Sequence, residues 1–74
     1  MKQQNLKTRS IFAQRLIDAR HAKGWSQNEL AWQLKMALAC VSDWENDHHR
    51  PRISTLTKVA KVLDVRVGWL LGVE

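Results

Sequence analysis

The chain has 74 residues, 45% hydrophobic and 26% charged, which suits one small folded domain and leaves too little chain for a sizeable enzyme pocket. Twelve Lys and Arg against seven Asp and Glu give a net charge of +5, which points to a polyanionic partner, nucleic acid first. No apolar run approaches the ~20 residues of a membrane span, the start lacks the apolar core of a secretion signal, and the single Cys40 excludes an internal disulfide. The expected setting is therefore cytoplasmic, away from any membrane.

Residues 1–9 carry Lys2, Lys7 and Arg9 around Leu6 and are expected to form a flexible basic N-terminal arm, with the domain proper at 10–74. Thr8 or Ser10 is placed to cap a first helix. Phe12, Leu16, Ile17 and Ala19 or Arg20 then recur at three- and four-residue steps, and Gly24 follows as the terminator. Gln14, Arg15, Asp18, His21 and Lys23 are expected to face solvent. Arg20 falls on the inner side, where a guanidinium is costly unless paired.

Ser26-Gln27-Asn28-Glu29 is a capping box, flanked by Trp25 and Leu30 at the spacing of a hydrophobic staple. It starts a second helix, about Gln27 to Leu34, whose inner stripe is Leu30, Ala31 and Leu34. Trp32 falls off that stripe, as a half-exposed packing residue or part of a contact surface. A third helix is expected from Leu38 to Asn46. Met36, Val41 and Trp44 give its buried side, and Ala39, Ser42, Asp43 and Asn46 point outward, with Leu38 on the N-terminal flank. Cys40 reads as a small packing residue.

The loop Asp47-His48-His49-Arg50-Pro51-Arg52 is the densest cationic stretch. Its histidines and the distant His21 lack the thiols and ligand spacing of a metal site, and no cofactor is implied. Histidine protonation would make binding by this loop pH-dependent. A fourth helix turns Ile53, Leu56, Val59, Ala60 and Leu63 inward, and a short fifth, about Val67 to Leu71, carries Trp69, Leu70 and Leu71 before Gly72.

The stretch from Trp25 to Asn46 resembles the helix-turn-helix of the lambdoid phage repressor and Cro proteins. Gln27 stands at the first position of that pattern, Ala31 at the fifth, and Val41 and Trp44 near the fifteenth and eighteenth. Arg20 and Glu45 match a frequent ion pair between the first and third helices. Arg50-Pro51-Arg52 and Val67-Gly68-Trp69-Leu70-Leu71 match later segments, so the resemblance covers roughly Phe12 to Gly72. Two departures stand in the turn. Lys35 replaces the Gly favoured where the chain goes left-handed, at a cost on the order of 1 kcal/mol. Ala37 replaces a capping Ser or Thr. Asp47 also replaces a common Gly.

The resemblance implies an all-α, compact five-helix bundle with the helix-turn-helix as helices two and three. It implies a sequence-specific double-stranded-DNA-binding transcriptional regulator, a homodimer on a pseudo-palindromic operator, and no enzyme. The base-reading positions become Leu38, Ala39, Ser42 and Asp43. Gln27, Asn46, His48, Arg50 and Arg52 become contacts to phosphates or the minor groove. Arg20 and Glu45 become a structural pair, and Trp69, Leu70 and Leu71 are expected both to complete the core and to form a dimer contact. The base-reading set holds no Arg or Gln for a bidentate base contact. The alternative reading is therefore a protein-interaction module, an antitoxin or anti-repressor, whose protein partner sits on the Leu38-Ala39 surface.

Overall fold

The computed structural model describes residues 9–74, and the remaining residues of the expected arm, with the alternative cap Thr8, lie outside them. Serine starts two of the helices. Ser10 is extended and its Oγ accepts from Ala13 N at 3.0 Å, which begins α1 (Ile11–Ala22). Ser26 begins α2 (Gln27–Leu34) with both halves of the capping box made: Ser26 Oγ accepts from Glu29 N at 3.0 Å, and Ser26 N donates to the Glu29 carboxylate at 2.8 Å. At its far end α1 closes on Gly24, which takes φ +74° and donates from its backbone N–H to His21 O at 2.9 Å.

Lys35 is left-handed, with φ 58° and ψ 43°, as the turn requires. The backbone then reverses through Met36, whose N–H donates to Ala31 O at 3.0 Å. Met36 thus lies in the turn ahead of α3 (Leu38–Glu45), half-buried against the core, rather than on the inner face of that helix. Ala37 makes no side-chain cap, and Asn46 closes α3 as its C-cap. The last two helices are α4 (Ile53–Leu63) and α5 (Val67–Leu71). Among the described residues the fold is all-helical, with five helices and no strand. No helix there is long and apolar enough to cross a membrane.

All five helices contribute to one core. Phe12 and Leu16 from α1, Leu30 and Leu34 from α2, Val41 from α3, Val59 from α4 and Leu70 from α5 are fully buried. Burying such a side chain contributes about 1.5–3 kcal/mol each. Ala31 is also buried, and its small side chain lets α2 and α3 pack closely across the turn.

Three expectations are corrected. Ile53 is 74% exposed although its spacing puts it on the inner stripe of α4. It is the first residue of that helix, and helical side chains lean toward the N-terminus, so it projects past the packed end. Leu70, expected both to complete the core and to join a dimer contact, lies wholly in the core and leaves the exposed part of this end to its neighbours. Arg15, expected in solvent, lays its guanidinium over the Trp69 ring at 4.9 Å and donates to Trp69 O and to Glu74 O, holding the chain after α5 against α1.

Candidate nucleic-acid interface

The inner and outer faces of α3 separate cleanly. Val41, Trp44 and Glu45 are buried, while Leu38 and Ala39 are exposed and Ser42 and Asp43 half-exposed. The outward set expected from the sequence is therefore one continuous surface. It offers one aliphatic side chain, one methyl, one hydroxyl and one carboxylate.

The carboxylate does not stand alone. His48 and His49 fold back from the loop so that one imidazole approaches each oxygen of Asp43, His48 Nδ1 at 3.5 Å and His49 Nδ1 at 3.2 Å. Their backbone amides donate to the Asp43 carbonyl, at 2.8 Å from His48 and 3.5 Å from His49. The loop thus closes the end of α3 and surrounds its one outward acid with groups able to carry positive charge. Among the described residues no group of three His, Cys, Asp or Glu side chains is arranged to hold a metal ion.

Behind the surface, Arg20 and Glu45 form the pair that the family resemblance implied. Arg20 Nε donates to Glu45 Oε2 at 2.7 Å and Nη2 to Oε1 at 3.0 Å, with a third bond from Nη1 to Trp25 O at 2.8 Å. Both residues are buried, and the bidentate geometry offsets the desolvation that burial imposes. Two further groups converge on Glu45. Gln27 donates from Nε2 to Oε1 at 2.8 Å, and Arg9 donates from Nε to the Glu45 carbonyl at 2.8 Å. Gln27 thus keeps its place at the start of α2 but spends one amide N–H on Glu45. Arg9, assigned by sequence to the arm, is fixed to the end of α3. No local spacing links residues so far apart in the chain, so neither contact was legible.

The cationic loop is fixed from two sides. Asp47, left-handed with φ 61°, accepts from Ser10 N at 2.8 Å and from Ser10 Oγ at 2.6 Å. These bonds, the side-chain one foremost and the backbone one next, lower the Asp47 pKa below its usual 3.8; burial opposes them, and the charges of Arg50 and Arg9 add smaller lowering effects. Arg50 lies over the Phe12 ring at 5.4 Å, with Nη2 4.0 Å from Asp47. Arg52 is exposed at the N-cap position of α4, where it makes no side-chain cap. His48, Arg50, Arg52 and Asn46 therefore all lie in or beside one exposed strip following α3.

A helix-turn-helix family pattern matches residues 16–70, spanning α2, the left-handed turn at Lys35 and α3. The chain belongs to the Cro/C1-type helix-turn-helix family. That is a family of DNA-binding transcription regulators. The Cro/C1-type chain is also 34% identical over 58 residues to the HTH-type transcriptional regulator ImmR of Bacillus subtilis (strain 168). That alignment takes in 78% of this chain and 46% of ImmR, so the chain spans about half the length of that curated relative. No solved structure matches significantly.

Proposed function

We propose that this Cro/C1-type domain is a sequence-specific transcriptional regulator that binds double-stranded DNA as a dimer. The observation that carries the reading is the outward face of α3, continuous with the basic strip of His48, Arg50 and Arg52. An α-helix fits the major groove, and cations beside it meet the phosphates. On this reading Leu38 and Ala39 pack on thymine methyls, Ser42 bonds to base edges, and Asp43 accepts from a cytosine amino group. Arg50 and Arg52 supply phosphate or minor-groove contacts and a large share of the affinity.

The dimer surface we favour is the edge formed by the start of α1 and the chain after α5. Ile11, Leu71 and Val73 are 57%, 41% and 77% exposed there. A side chain built at Gly72, between Leu71 and Val73, would come within 2.8 Å of Ile11, so Gly72 and Ile11 are neighbours. Two subunits paired by a two-fold axis would read a pseudo-palindrome with half-sites about one helical turn apart. Selection of bound duplexes from a random DNA pool tests this. Enrichment of a two-fold-symmetric motif is the expected result, and failure to retain any DNA sinks the proposal.

One observation favours a second reading, a protein-interaction module. Trp32 is 78% exposed on α2 and borders a groove of about 490 Å³ with Trp25 and Met36. The double variant Arg50→Ala with Arg52→Ala separates the two: DNA affinity falls under the first and is unmoved under the second.

A further inference from the structure

Asn46 is the expected phosphate contact at the end of α3, but its side chain is turned the other way. Its Nδ2 donates back to Ser42 O at 2.9 Å and reaches Ser42 Oγ at 3.4 Å. Its Oδ1 accepts from Arg9 Nη2 at 3.4 Å. The donor end of the amide is thus engaged with its own helix. The end turned toward Arg9 is an oxygen, which a phosphate repels.

Arg9 is built into this corner. Its Nε bond to the Glu45 carbonyl places the guanidinium on the C-terminal end of α3, where the helix dipole is negative and α3 has no basic residue in its last turn. Asp43, Glu45 and Asp47 all lie within a few residues of the same end. Arg20 is spent on the buried Glu45 carboxylate and Arg50 lies by Asp47, so Arg9 is the guanidinium bonded to the helix-end carbonyl itself. A guanidinium has five N–H donors, more than the two used in these bonds, and its fork matches phosphate oxygens.

We infer that Arg9, and not Asn46, is the residue that binds a DNA phosphodiester at the C-terminal end of α3. The inference rests on the DNA-binding reading and goes beyond it. Arg9 becomes a fixed part of the protein surface that contacts DNA, and Asn46 a positioning residue. Asn46 connects the guanidinium to Ser42, one of the base-reading positions, through a chain of hydrogen bonds.

The test is the salt dependence of binding to a short DNA duplex of arbitrary sequence, using the whole chain. Each phosphate neutralised by a Lys or Arg contributes about 0.9 to the slope of log affinity against log salt concentration. Arg9→Gln is expected to lower that slope by about 0.9 per bound subunit. Arg9→Lys should keep the slope, because the charge remains, and Asn46→Ala should leave it unchanged. Thermal unfolding of each variant separates lost folding from lost binding, since a purely structural Arg9 would change the melting temperature and not the slope. An unchanged slope in Arg9→Gln, or a loss of affinity at one fixed salt in Asn46→Ala as large as that in Arg9→Gln, overturns the inference while wild-type DNA binding stands. Absence of salt-dependent binding by the wild type removes the DNA-binding reading itself, and this inference with it.

Discussion

The two carboxylate oxygens of Glu45 both accept from the guanidinium of Arg20, at 2.7 and 3.0 Å, in the interior of a domain too small to hide an unpaired charge. This contact pins α3 to α1, and so sets the angle at which Leu38, Ala39, Ser42 and Asp43 are presented. Replacing Arg20 by Ala leaves Glu45 buried with only Gln27 as a side-chain partner, a loss of about 3–5 kcal/mol for a broken buried pair. That is a large share of the ~5–15 kcal/mol typical of a folded domain. Changing both residues to Met removes the uncompensated charge and is expected to cost less than Arg20→Ala alone. Urea unfolding of the wild type, both single variants and the double would show strong coupling. Simple additivity would remove the pair from this role.

Lys35 and Asp47, two of the three left-handed non-glycine residues, lead to opposite expectations. Lys35 makes no side-chain bond, so Lys35→Gly relieves about 1–2 kcal/mol of steric cost against about 0.4–1 kcal/mol of added unfolded-state entropy. A modest rise in melting temperature is expected. Asp47→Gly relieves less strain, because aspartate tolerates the left-handed region better than lysine, and it deletes both bonds to Ser10, net contributions of about 0.5–1.5 kcal/mol each. Its melting temperature is expected to hold or fall, and a rise matching that of Lys35→Gly would mean that the Ser10 bonds contribute nothing.

Acid should reveal the same Asp47 bonds. Its folded-state pKa lies below the unfolded 3.8, chiefly through the Ser10 side chain. The stabilisation is fully present above 3.8 and is lost as pH falls through the lowered folded value. Asp47→Asn should therefore show a shallower loss of stability than the wild type across that acid window. Parallel curves for the two proteins, from denaturant unfolding at several pH values, would count against the contact.

On the DNA side, Arg52→Gln is the cleaner probe, because Arg52 is exposed and makes no cap bond, whereas Arg50 also lies over Phe12. Fluorescence anisotropy is expected to show weaker binding across all duplex sequences and a salt slope lower by about 0.9 per subunit, with the melting temperature unmoved. Asp43→Asn should instead change which sequences are preferred. Equal loss on every sequence for Asp43→Asn would place Asp43 outside base readout.

For the proposed dimer, Leu71→Glu puts a charge in the proposed edge with Ile11 and Val73 without touching the buried Leu70. Sedimentation should shift toward monomer and operator binding should weaken, while helix content stays constant. An unchanged sedimentation profile of a wild-type dimer would move the interface elsewhere.

The sequence alone determined whatever depends on neighbours a few residues apart. The Ser26–Glu29 capping box and the opposed faces of α3 follow from helical period and local hydrogen bonding, while the family resemblance marked the left-handed Lys35 and the uncapped Ala37. The Arg20–Glu45 pair was legible because an inward guanidinium demands an acid and the family resemblance supplied one. The tertiary structure decided what depends on residues far apart in sequence. It turned Arg15 onto Trp69, enclosed Leu70, left Ile53 outside, joined Asp47 to Ser10, and brought Gln27 and Arg9 onto Glu45. Periodicity says which side of a helix is apolar, but not how far a neighbouring element extends over that side. It also gives no sign of which distant donor will reach a carbonyl or carboxylate at a helix end, because that depends on where the folded chain passes.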